Sequence, residues 1–317
     1  MKNLLVTGGL GFIGFNFIQY VKEKYSNYNL VCLDNITYAA EIWLDEKIDW
    51  LLKNNIPFYK FDICKPQIET VIKHENIDTI INFAAETHVD NSIINPSIFT
   101  HSNVEGVSNL LEITRKYNLK FHQIGTDEVY GSVNPNIDYV DEKFKLNPSS
   151  PYSATKTAAD LLTISYFKTF NSNVTISRCS NNFGPWQHTE KLLPKVITNS
   201  LNNKEIPVYG DGKQRRFWIH VNDHNEAVIK ILENGKPGEI YNIAPTKENL
   251  RENIDIIKII LNYLNKPESL IKHVTDRPGH DLCYYLEGHK LINECNFKPS
   301  QEFIKDLYST IEWYKHV

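Results

Sequence analysis

Between the apolar run Leu4-Leu5-Val6-Thr7 and the helically spaced Phe12, Ile13, Phe17, Ile18 and Val21 stand glycines at positions 8, 9, 11 and 14. A strand that passes through such a turn straight into a helix leaves few folds open. Glycine lets the backbone turn tightly and lets a phosphate approach where a Cβ would block it. The helix beyond offers free N–H groups and the positive end of its dipole. The spacing of Gly8, Gly11 and Gly14 is GxxGxxG rather than GxGxxG, and glycine turns alone are common between strands and helices. The context narrows the reading. A second buried-type run, Leu30 to Asp34, ends on a carboxylate 20 residues after Gly14, where an acidic group accepts the ribose hydroxyls of an adenosine. Asp34 would repel a 2′-phosphate, and Asn35 rather than an arginine follows it, which favours NAD over NADP.

Further strand candidates follow at Phe58–Phe61, Thr79–Phe83, Phe121–Ile124 and Val174–Ser177, with helical patterns at Phe12–Tyr25, Val104–Tyr117 and Ser153–Phe170. Strands that are apolar throughout and alternate with helices imply a parallel sheet covered on both faces. The fold class is therefore α/β: a Rossmann-type doubly wound parallel sheet with a smaller mixed α/β C-terminal domain for substrate. From Asn181 the regularity breaks. Asn181-Asn182-Phe183-Gly184-Pro185-Trp186 reads as a loop, followed by shorter elements at Ile206–Tyr209, Phe217–Val221 and Ile240–Ile243 and by helices near Asn253–Leu264 and Gln301–Tyr314. The division expected is 1–180 for the dinucleotide and 181–317 mainly for substrate, with the chain free to cross between them. Asp62-Ile63, after the third strand, can flank an adenine. Ala84-Ala85-Glu86-Thr87, after the fourth, can line the cofactor, although small residues suit any strand-to-helix turn.

Composition excludes several classes. The 317 residues carry 34 basic and 38 acidic side chains with no long basic run, so the footprint of a nucleic-acid binder is missing. Mean hydropathy is −0.38 and no apolar run approaches the ~20 residues that span a bilayer. Glycines arrive too early for a signal peptide. Cys32, Cys64, Cys179, Cys283 and Cys295 show no CxxC pair and no metal-ligand spacing. Buried reduced thiols, no metal and a cytoplasmic location are the expectation.

Tyr152 and Lys156 form a YxxxK pair whose i, i+4 spacing puts both on one helix face. An ammonium beside a phenol lowers a pKa that is normally ~10, and the phenolate can then take a proton from a hydroxyl as hydride leaves its carbon. Alone, the pair also fits a solvated helix face.

With Thr7–Gly14 and Tyr152-Ser153-Ala154-Thr155-Lys156 the chain resembles the extended short-chain dehydrogenase/reductase family. Gly125-Thr126-Asp127-Glu128-Val129-Tyr130-Gly131 narrows the resemblance to the nucleotide-sugar 4,6-dehydratases. The similar segments run nearly end to end: Ala84–Asp90, Ser149–Tyr152, Cys179–Pro185, Glu190–Pro194 and Asp276–His280. The resemblance implies NAD-dependent C4 oxidation of a dTDP- or UDP-glucose, loss of water across C5 and C6, and return of hydride to C6. Glu128 then fits as the base at C5, Asp127 as the acid at the C6 hydroxyl and Thr126 as a hydrogen-bond partner of the C4 oxygen. Asp127 must be held protonated while Glu128 stays ionised. The family pattern also implies cofactor contacts at Phe12, Ile13, Thr37, Ser102 and Asn182. Substrate contacts are implied at Thr87, Asn181, Lys191, Leu192, Pro207, Val208, Tyr209, Arg216, Asn253, Arg277 and His280. Arginine suits a diphosphate because its planar fork makes bidentate, charge-assisted hydrogen bonds.

The chain departs from the family pattern at Phe15, Gly125 and Phe217; the last replaces an aspartate beside Arg216 and removes an acidic partner for that arginine. A sugar-nucleotide 4-epimerase is the alternative enzyme, and a catalytically silent NAD-binding regulator the alternative of another class. Family resemblance also implies a homodimer through the helices near Val104–Tyr117 and Ser153–Phe170.

Overall fold

The computed structural model describes residues 2–134, 136, 140–276 and 280–317. Its strands, in chain order, are β1 (Lys2–Thr7), β2 (Tyr28–Asp34), β3 (Phe58–Lys60), β4 (Thr79–Asn82), β5 (Lys120–Thr126), β6 (Asn173–Cys179), β7 (Asn181–Phe183), β8 (Ile206–Tyr209), β9 (Arg215–His220), β10 (Ile240–Ile243), β11 (Leu250–Glu252) and β12 (Ile271–Val274). Seven of them form one sheet in the order β10-β6-β5-β4-β1-β2-β3. Every pairing in that sheet is parallel. This is the doubly wound fold expected, and the strand order reverses direction between β1 and β4.

Period-two alternation explains why the strands are apolar throughout. Leu4, Val6, Leu30, Cys32 and Ile81 enter one core, beneath the helices Phe12–Lys24 and Val221–Asn234. Their neighbours Leu5, Val31, Leu33 and Ile80 enter the other, beneath Ile68–His74, Val107–Tyr117 and Pro151–Phe170. A third apolar cluster, built from Phe183, Val196, Trp218, Ile256, Ile260 and Leu307, belongs to the C-terminal part.

Asn181–Phe183, expected as a loop, is the strand β7, paired in parallel with Trp218–His220 of β9. Asparagine is a poor strand former, so propensity did not mark it; tertiary pairing selects the conformation. The break falls at Gly184 and Trp186, whose φ angles are 153° and 65°. The helix expected from Val104 begins instead as a π-helical turn, His101–Gly106, and becomes regular at Val107. All five cysteines are free thiols, but Cys64 is only half-buried, against the expectation for it. No helix among the described residues is long and apolar enough to cross a membrane.

Candidate active site

The carboxyl ends of parallel strands, at a point where strand order reverses, form a crevice for ligands. Here the turn after β1 packs against the turn after β4. A Cβ on Gly8 (φ 65°) would sit 2.6 Å from the Ala84 nitrogen, so only glycine fits. A Cβ on Gly11 would meet the Gly8 carbonyl at 3.2 Å, and one on Gly14 would collide with the same carbonyl. No side chain caps the helix that begins at Phe12, so the amides of Phe12, Ile13 and Gly14 are left for an anion. The residues present therefore fit a dinucleotide pyrophosphate.

Asp34 is buried at the end of β2. One oxygen accepts the Leu10 N–H at 3.0 Å and the other the Ile36 N–H at 2.8 Å. Each oxygen keeps a lone pair for a ribose hydroxyl. Burial raises its pKa, against the pull of those amides and of the Lys47 ammonium. Lys47 is wholly buried, and its ammonium donates to the Leu10 carbonyl at 2.8 Å. Sequence reading missed it, because a lysine in the charged helix Leu44–Lys53 looks solvated. Asn35 and Thr37 are exposed on the following loop. Asp62 and Ile63 follow β3, and Ala84, Ala85, Glu86 and Thr87 follow β4, all on the same sheet edge as the glycine turn. Asn103 reads this edge, accepting the Glu86 N–H at 2.9 Å and donating to its carbonyl at 3.0 Å. Ser102 lies half-buried on the same π-helical turn.

Ser150 caps the helix Pro151–Phe170 in a reciprocal box with Ser153, and Pro151 occupies its first turn. That fixes Tyr152 and Lys156 on the face turned to β5. The Lys156 ammonium donates to the Ile124 carbonyl at 2.6 Å. The expected lowering of the phenol does not occur in the chain alone. Burial, then the Glu128 carboxylate, holds Tyr152 well above its ordinary pKa, and burial also depresses Lys156. Both groups are desolvated, and Lys156 spends its proton on a backbone carbonyl.

Thr126 closes β5, and its hydroxyl accepts the Glu128 N–H at 3.3 Å, starting the short 3₁₀ turn Asp127–Tyr130. Asp127 is buried, and its Oδ2 has no partner among the described residues. Burial, and then the adjacent Glu128 charge, raises its pKa to about 8, while Arg216 pulls the other way. Glu128 is half-exposed and accepts from the Tyr284 hydroxyl at 3.3 Å. The two neighbouring carboxyls are thus unlike: Asp127 is dry and pushed toward its protonated form, while Glu128 is only part-buried.

Arg216 does not need an aspartate at 217. Its guanidinium donates to the Arg215 and Asp281 carbonyls, both at 2.9 Å, and lies 4.0 Å from the Tyr284 ring centre. Phe217 instead turns into an apolar cluster with Tyr285, 5.2 Å between centroids. Tyr284 and Asp281 were missed by sequence reading; they arrive through the parallel bridge between Arg215 and Cys283, which local spacing does not signal.

A cavity of about 200 Å³ opens beside the acid pair. Thr87, Glu128, Asn181, Lys191, Leu192, Pro207, Val208, Tyr209, Arg216, Asn253 and His280 all line it, with His88, Asp90, Glu190, Gln214 and Trp218 added. Lys191 reaches the Thr87 carbonyl at 2.9 Å, and Tyr209 donates to Asp90 at 3.2 Å. Asn181 and Asn253 each keep a buried side-chain oxygen unpaired among the described residues. Asn182, behind them, is buried with its amide on the Ser180 carbonyl at 3.0 Å. Arg277 lies outside the described residues. A more open groove of about 640 Å³ runs nearby past Lys195, Lys204 and Lys272, without any of the acid, base or YxxxK residues.

Comparison with known proteins agrees with this geometry. The model of the GDP-mannose 4,6-dehydratase family matches residues 5–309. The dTDP-glucose 4,6-dehydratase of Mycobacterium tuberculosis is 39% identical over 314 residues, covering 98% of this chain and 93% of its own. The solved dTDP-glucose 4,6-dehydratase of Bacillus anthracis, in complex with NAD, superposes with a TM-score of 0.91 at 38% identity, covering 100% of this chain and 97% of that one. That of Streptomyces venezuelae, with NAD and a dTDP ligand bound, gives 0.93 at 36% identity over 99% and 97% of the two chains.

Proposed function

Because the chain belongs to the GDP-mannose 4,6-dehydratase family and aligns nearly end to end with its dTDP-glucose-specific members, we propose that it converts dTDP-glucose to the 4-keto-6-deoxy sugar. It is an NAD-dependent hydro-lyase acting on a nucleotide-activated glucose. The observation that carries the reading is the buried Asp127, its Oδ2 without a partner among the described residues, next to the part-buried Glu128. A 4-epimerase oxidises the same carbon but has no leaving hydroxyl to protonate.

NAD, when bound, would supply the hydride acceptor for C4 and the hydride donor for C6. The glycine turn and Asp34 would hold its pyrophosphate and ribose. Tyr152 takes the proton of the C4 hydroxyl, with Lys156 and Thr126 stabilising the charge that develops on the oxygens. A C4 ketone acidifies the C5 hydrogen, which Glu128 removes. Asp127 gives its proton to the C6 hydroxyl, which leaves as water. Arg216, Lys191 and His280 face the diphosphate, while Pro207, Val208 and Tyr209 meet the base.

Three further readings belong to this proposal. Residues 1–180 hold the cofactor and 181–317 mainly the sugar nucleotide; β10 and the helix Val221–Asn234, which pack on the large sheet, are the return crossing. Two copies pair through the helices Val107–Tyr117 and Pro151–Phe170, supported by Leu161, 57% exposed on the second of them. The enzyme works in the cytoplasm, a reading with which its five free cysteines are in keeping. The test of function is an end-point assay with dTDP-glucose and UDP-glucose in parallel, read by mass spectrometry. Loss of one water, faster from the thymidine sugar, is the expected result. A product of unchanged mass, isomerised at C4, would replace this reading with epimerisation.

A further inference from the structure

The loop after β3 and the π-helical turn His101–Gly106 bring Asp62, whose carboxylate the sequence also offers to the cofactor's adenine, together with Cys64 and His101, which have no part in the proposed reaction. The ligating atoms of Asp62, Cys64 and His101 all lie within 4.8 Å of one another. His101 Nε2 is 3.5 Å from Asp62 Oδ2, and its other nitrogen, Nδ1, is 2.8 Å from Glu105 Oε2. We propose that Asp62, Cys64 and His101 bind a borderline-soft divalent transition metal ion of the zinc class, with Glu105 orienting the histidine.

The donor set suits that ion. Zinc takes thiolate, imidazole and carboxylate at ~2.0–2.3 Å in a tetrahedron, which places ligand atoms roughly 3.3–3.6 Å apart. The imidazole–carboxylate separation already has that value. The thiol, which donates to the His101 carbonyl at 3.3 Å, would give up that bond to join them, and the fourth position would stay with water. Glu105 supplies the outer carboxylate that fixes which imidazole nitrogen faces the metal. Burial, then the Asp62 and Glu105 carboxylates, push the Cys64 thiol up to about 12 against the Lys65 ammonium, so a metal must displace the thiol proton as it binds.

The backbone holds the site in place. Asn109 donates to the Ile63 and Lys65 carbonyls at 2.7 and 3.2 Å, pinning the loop to the helix that follows the π turn. Gly106 permits the approach, since a Cβ there would collide with Ile63 and stand 3.3 Å from Cys64 Sγ. The Asp62 Oδ1 accepts the Cys64 N–H at 2.8 Å, so the carboxylate and the thiol keep a fixed relation. All three ligands are reachable from solvent, because Asp62 and Cys64 are half-buried and His101 is exposed. The other four cysteines are buried. Spacing along the sequence could not show this site, because its ligands come from segments 37 residues apart.

The experiment uses untagged full-length protein with one equivalent of Co²⁺ as a spectroscopic probe and Zn²⁺ as competitor. The expected result is a near-ultraviolet thiolate-to-cobalt absorption that Zn²⁺ removes. It should be absent in Cys64→Ser, and His101→Gln should weaken binding at least tenfold. In parallel, Zn²⁺ should slow the reaction of the Cys64 thiol with an aromatic disulfide at least tenfold in the unmodified chain. A cobalt spectrum unchanged in Cys64→Ser, or a thiol rate indifferent to Zn²⁺, would overturn the site. The second readout needs no variant, so a misfolded mutant cannot decide the matter. Dehydratase activity is not the readout, which keeps this inference separate from the proposed reaction.

Discussion

At the glycine-turn end of the cleft, buried polar groups answer one another. Asp34 receives the amides of Leu10 and Ile36, and Lys47 is tied to the carbonyl of that same Leu10 in the glycine turn. At the other end, Asp127 keeps an oxygen without a partner, and Asn181, Asn253 and Trp218 each keep an unpaired polar atom among the described residues. A buried polar atom left unpaired costs about 1–3 kcal/mol. The first region is folded to hold its own shape before a ligand arrives. The second leaves polar atoms for a ligand to satisfy, so it is built at a cost in stability.

That contrast can be broken most directly at the oxidising pair, which both regions serve. Tyr152→Phe or Lys156→Ala should reduce turnover toward the upper end of the ~10²–10⁴-fold range for a positioned acid or base. Stopped-flow absorbance should then show no transient reduced nicotinamide, and a transient of ordinary size would remove the pair from the oxidation. Asp127→Asn should cost less, about 10²–10³-fold, and should leave that transient intact while water is lost slowly. The same substitution should raise the melting temperature at pH 8. The carboxyl has a folded pKa of about 8, above the 3.8 of an exposed aspartate. Its contribution to stability is therefore complete below pH ~4 and is lost as pH rises toward 8, where a buried charge must be carried. An amide carries none. If Asp127→Asn melted lower at pH 8, the unpaired-oxygen account of this end would be wrong.

A milder effect sharpens the comparison without any mutation. If Asp127 gives the proton, kcat/KM should fall as pH rises through about 8, its pKa in the ligand-free chain. The limb should steepen toward tenfold per pH unit and should be missing from the residual activity of Asp127→Asn. A profile flat to pH 9 would mean that another group gives the proton.

How much of this was visible in the sequence follows the same division. The glycine turn, Asp34 and the alternating strands are local signals, since each depends on residues adjacent in the chain and on the period of the element that carries them. The parallel, doubly wound sheet followed from the alternation of those strands with helices, though not the order of its strands. Tyr152 and Lys156 were legible for the same reason, as i, i+4 partners on one helix. Tyr284 was not, because it meets Glu128 across 156 residues through a single bridge. β7 was hidden because Asn181 and Asn182 are extended by pairing with β9, against their own preference. The YxxxK electrostatics misled in another way. Adjacency suggested that the ammonium would lower the phenol, but burial and then the Glu128 charge raise it, and burial depresses Lys156, quantities no spacing records. Lys47 shows the limit most plainly, as a lysine with the helical setting of a surface charge and no exposure at all.

Lys47 therefore gives the smallest and most discriminating prediction. If the glycine-turn end is held by many mutually satisfied bonds, losing one should be felt weakly and only there. Lys47→Met keeps the length of the stem and removes the donor to the Leu10 carbonyl. One such bond is worth ~1 kcal/mol, so NAD affinity should fall about fivefold by titration calorimetry, with the substrate KM unchanged at saturating NAD. A loss of a hundredfold would mean that the turn hangs on a single side chain. A rise in the substrate KM would mean that the two ends are not separately built, because a change confined to the Asp34 side would then be reaching the acid pair.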